Sequence, residues 1–255
     1  MVTYTGKKAV IIGGTHGMGF ATAQLLVESG AQVLLTGRSQ PPIDSAKAQL
    51  GDKAHVVQAD ITSLSNITKL VSDTKAAFGD GPQIDFLFIN AGYAHLEPFT
   101  AVTEDSFRRT VDTNVFGSFF AAQQFAPLVH DGGAIVFTSS VSAKSGFPGM
   151  SVYSITKAGV SSLVQTLAAE LAGRKIRVNA VTPGFIKTPT MGVSGVSPDD
   201  LVAFEAEGSK LTPLDRIGTS EEVAKAAIFL AFEATFTTGT ELLVDGGLVN
   251  IHKEH

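Results

Sequence analysis

The chain contains no cysteine. That absence removes a disulfide framework, a thiol nucleophile and any cysteine-based metal site, and it is compatible with a reducing compartment. Positive charge is not in surplus either. The net charge is −5 and there is no basic run, so nothing in the sequence calls for nucleic acid. No apolar run approaches the ~18 residues needed to span a membrane. The N-terminal apolar stretch Ala9 to Ile12 runs straight into a glycine loop and does not read as a signal peptide. The histidines are scattered, two of them (His252 and His255) in the terminal tail, and no carboxylate or cysteine cluster joins them into a metal site. A cytoplasmic, enzyme-like chain is the expectation that remains. Its 255 residues, 44% hydrophobic and 17% charged, suit a single α/β domain with a large core.

What is present alternates in period. Lys8 to Ile12 is a short apolar run followed by Gly13-Gly14-Thr15-His16-Gly17-Met18-Gly19, after which Ala21, Leu25 and Leu26 keep helical spacing as far as Ser29-Gly30. Strand, glycine turn and helix in that order let a diphosphate approach backbone N–H groups at a helix N-terminus. A second strand, Val33 to Thr36, ends in Gly37-Arg38-Ser39. An acidic residue there would bind the ribose 2′-hydroxyl of NAD. In its place Gly37 leaves room and Arg38 offers a phosphate fork, which favours NADP, with His16 as a further donor. His55 to Gln58 ends in Asp60-Ile61, and Phe86 to Ile89 ends in Asn90-Ala91-Gly92. Between them Ile67, Leu70, Val71, Thr74 and Phe78 mark a helix with one apolar face.

Later segments repeat the pattern. A helical region from Glu104 reaches Asn114 and Gly117, two poor helix formers whose presence predicts a kink. Ala134 to Thr138 and Arg177 to Val181 read as strands, and Glu241 to Val244 as the last. From Pro189 to Pro213 the composition turns to Gly, Ser, Pro and Thr. Within it Ser197-Pro198-Asp199-Asp200 has the form of a helix start ahead of Leu201 and Phe204, so residues 189–213 are expected to be a substrate lid. Thr219 and Glu222 predict a second capping box. About seven strands alternating with helices, with neither linker nor repeat, predict one α/β domain over residues 1–255. Its expected form is a doubly wound parallel sheet with helices on both faces.

Chemistry concentrates between Ser139 and Lys157. Tyr153 and Lys157 lie four residues apart, on one helical face. A free phenol titrates near pKa ~10, and an adjacent ammonium is expected to lower it at about 1.4 kcal/mol per unit. A tyrosine so tuned exchanges protons with an alcohol or carbonyl oxygen. Ser140, at a strand end, is placed to donate to the same oxygen.

The glycine loop at Gly13 to Gly19, the N-A-G at Asn90 to Gly92, Asn114, Ser140 with Tyr153 and Lys157, and P-G-F-I-K-T at Pro183 to Thr188 occur in one order. Together they resemble the classical short-chain dehydrogenase/reductase family, over essentially the whole length. The resemblance implies a Rossmann-type fold and a nicotinamide cofactor. It assigns catalysis to Asn114, Ser140, Tyr153 and Lys157: Tyr153 as acid or base, Lys157 as the group lowering its pKa and holding the ribose, Ser140 as the polariser of the carbonyl, and Asn114 as holder of a water relay. It assigns the diphosphate to Gly13, Gly17 and Gly19 with Thr15, His16 and Met18, and the 2′-phosphate side to Arg38 and Ser39. Adenine falls to Asp60 and Ile61, and the cofactor's lining to Asn90, Ala91 and Gly92. The carboxamide side falls to Pro183, Gly184, Ile186 and Thr188, with Tyr153 and Lys157 closing the cofactor set. Two positions depart from the family pattern: Ile12 stands where Thr is usual and Ile89 where Asn is usual. If they face each other across adjacent strands, an apolar contact replaces a polar one.

The implied activity is NADP(H)-dependent interconversion of a ketone and a secondary alcohol by a homotetramer built on the Asn114 and Tyr153 helices and the C-terminal strand. Tyr93, Leu96, Phe147, Met150, Phe185 and Met191 are candidates for an apolar pocket. Reduction of 3-ketoacyl groups on an acidic carrier protein is a narrower alternative. Arg174 and Lys175 would give it part of a basic patch, while Asp131 and the net charge oppose it. A dinucleotide-binding regulator without turnover is the other alternative.

Overall fold

The computed structural model describes residues 3–81, 83–194 and 197–253. In chain order the elements are β1 (Lys8–Ile12), α1 (Gly17–Glu28), β2 (Gln32–Gly37), α2 (Gln40–Leu50), β3 (Ala54–Gln58), α3 (Leu64–Phe78), β4 (Ile84–Ile89), α4 (Glu104–Val111), α5 (Ser118–Phe125) and β5 (Val129–Thr138). They continue with α6 (Ser151–Leu171), β6 (Arg177–Pro183), β7 (Ile186–Lys187), α7 (Pro198–Leu211), β8 (Gly218–Thr219), α8 (Ser220–Phe232) and β9 (Glu241–Val244). Seven strands form one wholly parallel sheet in the order β3-β2-β1-β4-β5-β6-β9, which reverses direction between β1 and β4. In such a sheet the crevice for ligands opens beyond the carboxyl ends of the strands at that reversal.

The apolar runs are explained by burial on both sides. Val10, Ile12, Leu34, Leu87 and Ile89 face α3, α5 and α6. Ala9, Ile11, Val33, Leu35, Phe86 and Phe88 face α1, α2 and α8. Ile12 and Ile89 are register partners on adjacent strands, both essentially without exposure and both in the first of these cores. The two departures from the family pattern therefore do meet, and each buried isoleucine contributes about 1.5–3 kcal/mol.

Capping follows the sequence. Ser197 with Asp200, and Thr219 with Glu222, form reciprocal boxes at the starts of α7 and α8. Three features were not expected. Helix α2 begins on Gln40-Pro41-Pro42, which has the look of a turn. Proline is nevertheless tolerated in a first turn, where its missing N–H has no intrahelical partner. Strand β5 extends back through His130-Asp131-Gly132-Gly133, polar residues with a register irregularity beside them. The two-residue strands β7 and β8 pair with each other apart from the main sheet. The predicted kink is a wide π-turn over Asp112–Gly117 between α4 and α5. Gly117 is required there, because a Cβ would sit 2.7 Å from the side chain of Ile61. Gly195 and Val196 in the 189–213 stretch, and His255, lie outside the described residues. No helix among the described residues is long and apolar enough to cross a membrane.

Candidate active site

The first two turns of α6 carry Tyr153 and Lys157 to the carboxyl end of β5. Lys157 is 3% exposed. Its Nζ donates to the Thr138 carbonyl at 2.7 Å and stands 5.6 Å from the centre of the Tyr153 ring. Burial disfavours the charged form of each group. It pulls Lys157 down to about 8 and pushes Tyr153 up to about 12, against a hydrogen bond from the Ser140 side chain that lowers it. The expectation that Lys157 lowers the phenol's pKa is thus corrected for this arrangement: desolvation outweighs the Ser140 hydrogen bond, and the Lys157 ammonium is aimed at a backbone carbonyl instead of the phenol.

The two serines after β5 face different ways. Ser139 Oγ lies 2.9 Å from Ser161 Oγ and donates to the Lys157 carbonyl, so it is spent on α6. Ser140 accepts from the Ser142 N–H at 3.2 Å and caps the short turn Val141–Ala143. The assignment of Ser140 in preference to Ser139 agrees with this. Asn114 is fully buried in the π-turn and hydrogen-bonded through both ends of its amide. Its Nδ2 donates to the Tyr93 carbonyl at 2.8 Å and to Thr156 Oγ1 at 3.0 Å, and its Oδ1 accepts from the Tyr93 N–H at 2.8 Å. Its amide therefore pins Tyr93 to α6, and Oδ1 keeps a second lone pair beyond the one taken by the Tyr93 N–H. Gly92 separates Asn114 Oδ1 from Lys157 Nζ, each within about 3.6 Å of where a Cβ would stand.

Two cavities meet at Tyr153. One is a groove of about 350 Å³ along the sheet reversal. Most of the expected cofactor residues line it: Gly13, Thr15, His16, Gly17 and Met18 from the loop; Arg38 and Ser39 after β2; Asp60 and Ile61 after β3. Asn90, Ala91 and Gly92, then Tyr153, Lys157 and Thr188, complete that side. Four others are elsewhere. Gly19 lies beneath the loop, where a Cβ would collide with the Gly13 carbonyl. Pro183, Gly184 and Ile186 line the second cavity instead.

The groove suits a dinucleotide. Gly13 (φ 83°) and Gly17 (φ 57°) hold left-handed backbone that other residues rarely adopt. Among the described residues the Thr188 hydroxyl is the one buried side-chain polar atom without a hydrogen-bond partner, and its methyl lies 3.3 Å from where a Gly17 Cβ would stand. A buried hydroxyl left unpaired costs ~1–3 kcal/mol, so its presence at a ligand groove points to a partner supplied by the ligand. Arg38 has no carboxylate partner among the described residues, and a Cβ at Gly37 would strike the Thr15 side chain.

Threonines at strand ends went unnoticed in the sequence. Thr36 Oγ1 accepts from the Gly13 N–H at 3.1 Å and its carbonyl from the Gly14 N–H at 2.7 Å. Thr138 donates to Asn90 Oδ1 at 2.9 Å, and Asn90 Nδ2 donates to the Gly13 carbonyl at 2.8 Å. A threonine closing each of two apolar strands was the available signal.

The second cavity, about 330 Å³, is apolar. Leu96, Phe147, Met150, Phe185 and Met191 line it as expected, joined by Phe204 of α7. Tyr93 lines the groove instead. Tyr153, Thr138, Met18, Thr188 and Gly192 belong to both cavities.

The chain is similar to known proteins over nearly its whole length. Residues 13–249 match the family model described as enoyl-(acyl carrier protein) reductase. The oxidoreductase asL5 of Sarocladium schorii is 36% identical over 250 residues, covering 97% of each chain. A solved structure described as a short chain dehydrogenase/reductase family protein is 36% identical, with a TM-score of 0.83, over 97% of this chain and 99% of that one. The 3-ketoacyl-(acyl-carrier-protein) reductase of Brucella melitensis, complexed with NADH, is 29% identical with a TM-score of 0.86, over 96% and 99%.

Proposed function

The chain belongs to the short-chain dehydrogenase/reductase family and is an oxidoreductase of the kind that uses a nicotinamide cofactor, and from that premise we propose that it interconverts a ketone and a secondary alcohol with NADP(H). One observation carries this reading: Tyr153 stands in the wall shared by the dinucleotide groove and the apolar cavity. A nicotinamide held in the groove would supply a hydride in reduction and accept one in oxidation. The phenol of Tyr153 gives its proton to the carbonyl oxygen in reduction and takes one from the alcohol in oxidation. Ser140 donates to the same oxygen, spreading its developing charge. Lys157, titrating at about 8, is mostly protonated at neutral pH and offsets the phenolate left behind. Asn114 holds Tyr93 and α6 in register for this. Gly13 and Gly17 would admit the diphosphate, Asp60 and Ile61 would border adenine, and the unpaired hydroxyl of Thr188 would be available to the carboxamide. Arg38, with no acidic residue beside it at the end of β2, supports NADP over NAD.

The carrier-protein alternative loses support from the position of its basic residues. Arg174 lies at the amino end of β6, opposite the site. Its guanidinium is committed to Asp131 at 2.9 Å and to the carbonyls of Ala126 and Val129. A regulator without turnover has no use for a buried lysine under a tyrosine, an arrangement that burdens folding. In this reading residues 189–213 act as the lid, since Phe204 of α7 reaches the apolar cavity. Exposed apolar side chains on α4 to α6, Phe107, Phe119 and Ile155, support a homotetramer built on those helices. A cytoplasmic setting accords with the cysteine-free composition.

The test is NADPH oxidation against a panel of ketones with the native chain and with Tyr153→Phe. Native turnover is expected, with a loss of at least ~100-fold in the variant while NADPH binding persists. Near-normal turnover by the variant refutes the role given to Tyr153.

A further inference from the structure

Resting on the ketone–alcohol reading above, we propose that the apolar cavity takes an aromatic carbonyl compound bearing a basic amine, and that Glu207 selects for it at the cavity mouth. Three phenylalanines from separate elements make one wall. Phe147, from the loop before α6, meets Phe185 edge-on at 6.2 Å and 88°, and Phe185 meets Phe204 of α7 at 5.1 Å and 65°. Such pairs leave ring faces for a flat ligand to stack on. The cavity of about 330 Å³ has room for one aromatic ring system and its substituents.

The charge on this wall is one-sided. Among its lining residues Glu207 is the single acidic side chain, and neither lysine nor arginine lines the cavity. Glu205, two residues earlier on α7, is held by Lys187 at 2.8 Å, whereas Glu207 makes no ion pair or hydrogen bond among the described residues. The position of Glu207 is set by its neighbour. Gly208 lies in the last turn of α7, and a Cβ there would come within 2.6 Å of the Phe185 ring. The glycine seats α7 directly against the phenylalanine wall, which carries the carboxylate at position 207 to the cavity. Aromatic faces beside an unneutralised carboxylate attract an ammonium group on both counts. A carboxylate or phosphate on the substrate meets negative charge and no compensating cation.

The experiment compares three aryl ketones of matched shape whose distal substituent is aminomethyl, methyl or carboxylate, assayed by NADPH oxidation at low salt. The expected kcat/KM order is cation over neutral by about fivefold and neutral over anion by about fivefold, the size of a charge contact near 4 Å in water. The differences should lie in KM and shrink in 0.5 M salt. Glu207→Gln should bring the three within about twofold of one another, and Glu207→Lys should reverse the order. An anion accepted as well as the cation by the native chain, or an order unchanged in Glu207→Gln, overturns the proposal. If no ketone is turned over, the ketone–alcohol reading fails. The order in which the same three compounds bind the NADPH-loaded protein then still decides the role of Glu207.

Discussion

Replacing Thr188 by valine separates what the ligand-free fold tolerates from what the cofactor uses. The Thr188 hydroxyl is buried with no partner among the described residues, and the side chain abuts Gly17 in the dinucleotide groove. Valine keeps the shape and removes the unpaired oxygen, so the ligand-free chain should gain the ~1–3 kcal/mol that an unsatisfied buried polar group costs. For a chain of this size each kcal/mol moves Tm by about 2–4 °C, giving a rise of roughly 2–12 °C. The dinucleotide should respond in the opposite sense. A hydrogen bond to the carboxamide has a net value of about 0.5–1.5 kcal/mol, so NADPH should bind the variant roughly 2- to 13-fold more weakly. Because ligand binding stabilises by mass action, the melting curves of the two proteins should draw together as NADPH is added. Thermal melts with and without NADPH, paired with a binding titration, read both effects. A variant that melts lower without NADPH and binds it as tightly as the native chain would show that the hydroxyl is satisfied within the protein, and the argument for its role fails.

Two further outcomes are expected. Arg38→Ala should weaken NADPH by about 10- to 150-fold, the range of a charged hydrogen bond, and leave NADH nearly unchanged; equal weakening in fluorescence titrations would locate the 2′-phosphate elsewhere. Lys157→Met should abolish turnover yet stabilise the fold at pH 6–7. The folded pKa is depressed to about 8 from 10.5, so below pH 8 both folded and unfolded chains carry the charge and the folded one bears its whole desolvation cost. That cost is roughly 3 kcal/mol at most and is relieved as pH rises from 8 to 10.5. Urea unfolding at pH 6.5 and at pH 10 should therefore show a gain that fades, and a loss at pH 6.5 would contradict the burial argument.

Much of the architecture was legible because strands buried on both faces leave continuous apolar runs, and because turns and caps use few residue types. β1, β4 and β9, the capping boxes at Ser197 and Thr219, and the interruption at Asn114 to Gly117 were all visible in this way. α2 was not, because Pro41-Pro42 resembles a turn unless the first-turn exception is applied. The start of β5 was hidden because His130 to Gly133 carry no apolar pattern, their pairing being decided by neighbouring strands. Within the site, spacing put Tyr153 and Lys157 together, and the strand-end motifs gave most of the groove. The direction of the tyrosine's pKa was not legible, since it depends on how deeply two side chains are buried. Nor was it legible that Ile186 lines only the apolar cavity while Thr188 reaches both, since the chain between them leaves strand β7 after Lys187.

The apolar pair Ile12 and Ile89 shows why a change in the core two residues from the chemistry can leave the crevice standing. Both side chains point into the core under α3, α5 and α6, while the loop that follows is fixed by groups outside that core. The Ile12 carbonyl accepts from the N–H groups of Asn90 at 2.9 Å and Ala91 at 2.8 Å, bonds that any residue at position 12 can make. The tethers that need a side chain are Asn90 Nδ2, which donates to the Gly13 carbonyl and is itself braced by Thr138, and Thr36 Oγ1, which accepts from the Gly13 N–H. The polar contact usual for the family at 12 and 89 is therefore dispensable here. Positions 12 and 89 are free to be chosen for packing, and the glycine loop keeps its place through the strand ends on either side.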